Sequence, residues 1–191
     1  MKRVLAIIGS PRKGGNTDIL VQKVTEGAIS KGAQVETLHL GKLNIRECDG
    51  CHVCWQGKPC PKRDDMLDTY QKIIESDAIV LGTPVYWYGP TALMKALIDR
   101  LVYFNCPENR AKIRGKQAAI VIPFEEENSE TARPVVEFFE KCLNYLEMSI
   151  AGAIIVGGVS DKGDVLKKPA CLNEAFELGK KLGESSEVKA L

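Results

Sequence analysis

VLAIIGSPRKGGNT, Val4 to Thr17, runs an unbroken aliphatic stretch into a glycine-rich turn and then into an amphipathic segment that continues to Ser30. Aliphatic and β-branched residues without polar alternation read as a strand covered on both faces. Asn16 or Thr17 follows the glycines with a side chain able to accept from free backbone N–H groups, so a helix is expected to start there. Such a turn gathers unpaired N–H groups at the positive end of a helix dipole, which is a seat for a phosphate. Gly9, Gly14 and Gly15 do not space as G-x-G-x-x-G, and no G-K-[ST] is present to hold a metal-bound triphosphate. Hydroxyls at Ser10 and Thr17, the amide of Asn16 and the cation of Arg12 suit a terminal phosphomonoester without magnesium. A bare strand-to-helix turn is the competing reading. A receiver domain would place acidic residues at the end of the first strand, and VLAIIGS has none.

Outward from this stretch, short aliphatic runs alternate with segments of helical period. Val4 to Ile8 precedes Thr17 to Ser30, Gln34 to Leu40 precedes Met66 to Glu75, and Ala78 to Gly82 precedes Thr91 to Leu101. Gln117 to Ile122 then precedes Val135 to Leu146, and Ile150 to Val156 precedes Leu172 to Leu182. Further helix starts are marked by Asp64 and Asp65 and by Ser129 or Thr131. The alternation predicts an α/β fold, with a five-stranded parallel sheet of order 2-1-3-4-5 between helices in right-handed crossovers. In that order the ligand crevice lies at the carboxyl ends of strands one and three.

The third strand ends in Thr83-Pro84-Val85-Tyr86-Trp87-Tyr88-Gly89-Pro90, facing the phosphate turn across this crevice. Three consecutive aromatic rings between prolines can stack on a planar heterocycle while the backbone offers N–H groups to its edge. A hydrophobic plug or dimer contact is the alternative. The two loops together fit a ligand with a phosphate at one end and an isoalloxazine at the other, which is FMN.

The connection from Gly41 to Arg63, within an insertion spanning 41–65, is out of proportion to the rest and holds four cysteines. Cys48-x2-Cys51-x2-Cys54-x5-Cys60-Pro61 places them within thirteen residues. The compact run lets three thiolates converge on one face of an iron-sulfur cube while the fourth arrives after a short excursion. A [4Fe-4S] cluster is the leading expectation, with zinc and unmetallated thiols as alternatives. His52 reads as a surface histidine beside these ligands, and Trp55 as packing the loop on a neighbouring subunit or the flavin edge. His39 reads as structural, and Cys106, Cys142 and Cys171 as ordinary thiols.

Composition sets the outer bounds. At 191 residues the chain reads as a single domain, 1–191, which buries roughly 70% of its unfolded surface. The amino-terminal residues before Gly9 are too few for a signal peptide, and no run approaches the ~20 apolar residues of a membrane span. A cytoplasmic protein is expected. With 26 basic and 25 acidic side chains the net charge is +1, so neither a nucleic-acid surface nor a polybasic membrane anchor is present.

GSPRKGGNT, the segment TPVYWYGPTALMKALIDR from Thr83 to Arg100, and the cysteine loop resemble the NADPH-dependent FMN reductase and iron-sulfur flavoprotein group of the flavodoxin-like superfamily. The resemblance implies a flavodoxin-like three-layer sandwich. It implies that Ser10, Arg12, Gly15, Asn16 and Thr17 bind the FMN phosphate. Pro84, Val85, Tyr86, Trp87, Tyr88 and Gly89 would hold the ring, and the stretch from Phe124 to Asn128 would form a third wall. Cys48, Cys51, Cys54 and Cys60 would ligate the [4Fe-4S] cluster.

The implied activity is reduction of FMN by NAD(P)H or a ferredoxin-like donor, followed by transfer to a small-molecule acceptor such as a quinone, free flavin or metal chelate. The flavin carries the chemistry, so no catalytic acid or base is assigned. A homodimer or homotetramer would cover the aromatic and cysteine loops. Two rivals stand outside the enzyme reading: an FMN/iron-sulfur electron carrier, and a regulatory protein that uses the cysteines as a zinc clip.

Overall fold

A computed structural model describes residues 1–184; the last part of the expected 1–191 domain lies outside the described residues. The sheet has five parallel strands in the order β2-β1-β3-β4-β5, as the alternation predicts. They are β1 (Arg3–Ile8), β2 (Gln34–His39), β3 (Ala78–Gly82), β4 (Gln117–Pro123) and β5 (Ser149–Val156). The central strands β1, β3 and β4 are almost wholly buried, whereas the edge strands β2 and β5 keep exposed positions.

Helices α1 (Asn16–Ser30), α2 (Met66–Glu75), α3 (Ala92–Arg100), α4 (Pro107–Arg110), α5 (Arg133–Tyr145) and α6 (Pro169–Gly183) complete the chain. Successive strand residues point to opposite faces, so each central strand feeds two cores. Leu5, Ile7, Leu81 and Ile120 pack against Met66 and Tyr70 of α2, Met94 and Leu97 of α3, and Phe139 of α5. Val4, Ala6, Val80 and Val121 pack instead against Leu20 and Val24 of α1 and Ala175 and Leu182 of α6.

Helix starts differ in detail from the sequence expectation. Asn16 opens α1 after a Gly15 cap, and its side chain is engaged elsewhere. The turn before α5 is capped by Asn128, whose side chain accepts from the Glu130 N–H at 3.1 Å, so Ser129 and Thr131 are not the caps. Among the described residues no helix is long and apolar enough to cross a membrane.

On the face of α1 and α6 the two helices touch backbone to backbone. A side chain at Gly27 would meet the Phe176 carbonyl, and one at Gly179 would meet the Val24 carbonyl. Glycine is required there for close approach rather than for its dihedral freedom. Gly179→Ala should therefore push the helices apart and cost about 1–3 kcal/mol. Urea unfolding should show a lower midpoint with an unchanged slope.

Candidate functional site

The carboxyl ends of β1 and β3 are joined by a short polar chain. The Gly9 N–H donates to the Gly82 carbonyl at 2.7 Å, and the Thr91 hydroxyl donates to the Gly9 carbonyl at 2.5 Å. The Thr91 N–H in turn donates to Thr83 Oγ1 at 3.1 Å, while Thr91 Oγ1 caps α3 by accepting from the Met94 N–H. The phosphate turn and the aromatic loop are thereby fixed relative to each other at the point where the strand order reverses.

Between them lies a cleft of about 90 Å³ lined by Ser10, Arg12, Gly15, Asn16, Thr17, Pro84, Val85, Tyr86 and Phe124, all expected at the site. Pro123, Glu125, Val159 and Ser160 complete the lining. The turn uses several of its own N–H groups: Arg12 donates to Ser10 Oγ, Gly14 to Asp18 Oδ2 and Gly15 to the Arg12 carbonyl. Those of Asn16 and Thr17, at the start of α1, remain for a ligand.

Asn16 acts differently from the phosphate contact expected of its side chain. Its amide N–H groups donate to the carbonyls of Val159 (3.4 Å) and Asp161 (2.9 Å), and its Oδ1 accepts from the N–H groups of Gly163 (3.1 Å) and Val165 (3.2 Å). Both ends of the side chain are committed to the loop after β5. Arg12 reaches the same loop, donating to the Ser160 carbonyl at 2.8 Å, and the Lys162 side chain lies over Gly14. This further wall, from Val159 to Val165, is separate from the Phe124–Asn128 wall that the sequence led us to expect and escaped that reading, although Gly157-Gly158 directly after the fifth strand was a signal that backbone packs closely there. Phe124 and Glu125 do face the cleft, but Glu126 and Glu127 turn toward Gly158, whose N–H donates to the Glu126 carbonyl.

Trp87, Tyr88 and Gly89 lie outside the cleft lining, contrary to expectation. Tyr86 and Gly89 exchange backbone hydrogen bonds at 2.9 and 3.0 Å, making Trp87 and Tyr88 the two central residues of a tight hairpin. Both have positive φ, 49° and 58°. Asn-Gly is favoured in such a turn, and bulky residues in the left-handed region are unfavourable by about 1–2 kcal/mol each. At the tip of the hairpin Trp87 is 96% exposed.

The cysteine loop forms a second site. Cys48, Cys51, Cys54 and Cys60 line one cavity of about 60 Å³, together with Tyr70 and Arg100. Burial, reinforced by the neighbouring Cys60, Cys48 and Cys51, pushes the Cys54 thiol up. Among the described residues no three His, Cys, Asp or Glu side chains are drawn together as ligands of one metal ion. His52 is exposed and stacks on Trp55 with ring centroids 4.1 Å apart. His39 is half-buried at the end of β2, while Cys106 is buried and Cys142 and Cys171 are half-buried.

The loop is tied down by an ion pair between Arg100 at the end of α3 and Asp64 before α2, their side chains 1% and 0% exposed. The guanidinium grips the carboxylate through two bonds, of 2.7 and 3.1 Å. Burial would push Asp64 up, but hydrogen bonds from Arg100 and the Arg46 N–H, with the Arg100 charge, hold it below the usual carboxylate range. This pair was also missed in the sequence. Its signal was an arginine three residues beyond Leu97, on the face of α3 that carries the core.

The family model described as NADPH-dependent FMN reductase matches residues 2–157. An iron-sulfur flavoprotein of Archaeoglobus fulgidus is 28% identical over 194 residues, covering 98% of this chain and 81% of the relative. A Bacillus subtilis protein whose name describes an NAD(P)H-dependent FMN-containing oxidoreductase is 27% identical, covering 94% and 97%. The solved NAD(P)H:quinone oxidoreductase from Methanothermobacter marburgensis shares the fold, with a TM-score of 0.75, 18% identity, and coverage of 95% and 98%.

Two outcomes follow from this geometry. Replacing the hairpin centre by Trp87→Asn with Tyr88→Gly should stabilise the fold by about 1–2 kcal/mol in urea unfolding, because the strained conformation suits the new residues. An unchanged or lowered midpoint would refute that reading of the turn. Because the folded-state pKa of Asp64 is depressed, its stabilising share is present above its unfolded value of about 3.9 and lost as pH falls through the folded one. Asp64→Asn should be weaker by roughly 3 kcal/mol at pH 7 and lose less stability than the wild type on acidification below about pH 4.

Proposed function

The chain belongs to the NADPH-dependent FMN reductase family, and from that premise we propose how this NAD(P)H-dependent FMN oxidoreductase uses its two sites. The observation that carries the reading is the cleft between the two loops, which sets Ser10, Arg12 and Thr17 opposite Pro84, Val85 and Tyr86, as a ligand with a phosphate and a ring needs. The donor set fits FMN. Arg12, the hydroxyls of Ser10 and Thr17 and the free N–H groups at the start of α1 would hold the phosphate. From the phosphate end of the cleft the ring would extend over Pro84, Val85 and Tyr86. Asn16 contributes its backbone N–H and, through its side chain, holds the wall from Val159 to Val165 in place.

Bound there, FMN would supply the redox chemistry, taking a hydride from NAD(P)H and yielding its electrons to an acceptor. The protein's part would be to hold the phosphate through Arg12, Ser10, Thr17 and the first N–H groups of α1 and to seat the ring against Pro84, Val85 and Tyr86. A quinone, free flavin or metal chelate is the acceptor class proposed, with a ferredoxin-like protein as an alternative donor. The exposed tips at Trp87 and Trp55 suit association of copies into a homodimer or homotetramer. A cytoplasmic location accords with seven cysteines, none of them paired in a disulfide.

The cysteine cavity is read as a [4Fe-4S] site. A single zinc ion needs its ligands at one point, whereas a cubane offers each thiolate its own iron corner. Four thiols lining one cavity suit the second arrangement. The name iron-sulfur flavoprotein, carried by the Archaeoglobus fulgidus relative, supports it.

Fluorescence titration should show FMN binding at least about 100-fold tighter than riboflavin, a difference of about 2.7 kcal/mol, and Arg12→Ala should remove most of that preference. Steady-state oxidation of NADPH with a quinone should require the bound flavin. Equal affinity for FMN and riboflavin would defeat the phosphate assignment. In anaerobically purified protein, analysis should find about four iron and four sulfide per chain, and one zinc per chain would defeat the cluster reading.

A further inference from the structure

Arg100 does more than neutralise Asp64. Its Nη1 donates to Asp64 Oδ2 at 2.7 Å and to the Arg46 carbonyl at 2.9 Å, while its Nη2 donates to Asp64 Oδ1 at 3.1 Å and to Cys60 Sγ at 3.4 Å. Nε is buried and has no hydrogen-bond partner among the described residues. The Tyr70 hydroxyl donates to the Arg100 carbonyl at 2.9 Å, and both residues line the cysteine cavity. An ion pair would need only the carboxylate. Here one buried guanidinium holds a buried carboxylate and the sulfur of half-buried Cys60 together.

Hydrogen bonds to a ligating sulfur and nearby positive charge stabilise whichever state of a centre carries more negative charge. One electron arriving at a cysteine-held cluster adds one unit of negative charge to the cluster and its thiolates. We propose that Arg100 is a positioning residue that raises the reduction potential of the centre held by Cys48, Cys51, Cys54 and Cys60, acting through Cys60. The inference rests on the cluster reading of those cysteines. The guanidinium keeps its protons throughout, so the electron moves without proton exchange at this residue. Asp64 opposes the effect by its charge and assists it by aiming the fork, and the balance between them sets the potential.

The test compares three reconstituted proteins: wild type, Asp64→Asn, and the double variant Arg100→Gln with Asp64→Asn. The double variant removes both charges together, so no unpaired ion is left buried. Iron content, the electron paramagnetic resonance signal of the reduced centre and its midpoint potential are measured anaerobically, with circular dichroism to verify folding. The double variant should bind iron as the wild type does, with its one-electron equilibrium shifted about tenfold toward the oxidised state, which is about 59 mV lower. Asp64→Asn, which keeps the bond to Cys60 and loses a negative charge, should shift it the other way. Iron-loaded variants with wild-type potentials would overturn the role of Arg100 alone. A wild-type chain that takes up no iron overturns the cluster reading and this inference with it. If the double variant does not fold, Asp64→Asn decides, and an unchanged or lowered potential overturns the proposal.

Discussion

The hydroxyl of Thr91 holds the two halves of the ligand cleft in register. It closes a bond to the Gly9 carbonyl at the end of β1 while capping the first turn of α3, and the N–H of the same residue reaches Thr83 at the end of β3. A parallel sheet fixes the spacing of its strands but leaves the loops beyond them free to splay. In this chain three hydrogen bonds inside a buried patch remove that freedom. The phosphate turn and the aromatic hairpin are tied into one rim, so their relative position is set by the fold's own hydrogen bonds. Such preorganisation lowers the entropy lost on binding.

The cysteine excursion has a different problem, since it contains only two short turns of 3₁₀ helix and little backbone pairing of its own. Its order is borrowed from the core. Cys54 is buried beneath it, and the Arg100–Asp64 pair anchors its far end. Removing one partner from a buried pair is far more damaging than never having had it, so the pair commits the loop to a single arrangement.

Much of this was legible from the residues. The order of elements and the double-sided burial of β1, β3 and β4 follow from unbroken aliphatic runs, and the phosphate turn is visible because glycines precede a helix start. What the sequence concealed was set by distant partners. Asn16 carries the signature of a ligand-binding amide, yet its partners are Val159 to Val165, nearly the whole chain away. Nothing in Tyr86-Trp87-Tyr88-Gly89 beyond its glycine marks a left-handed turn, because aromatic residues disfavour that conformation and occupy it only when the surroundings demand it. Arg100 stood in plain view as a charge on an apolar helix face, but only Asp64 and Cys60 in space explain it.

Helix α3 has its first turn stapled to the rim by Thr91 and its last residue locked into Asp64. Adding or deleting one residue in between would swing Arg100 about 100° around the axis and carry it away from its carboxylate. The segment therefore has a forbidden class of evolutionary change: substitutions on its outer face are tolerable, but its length is not negotiable.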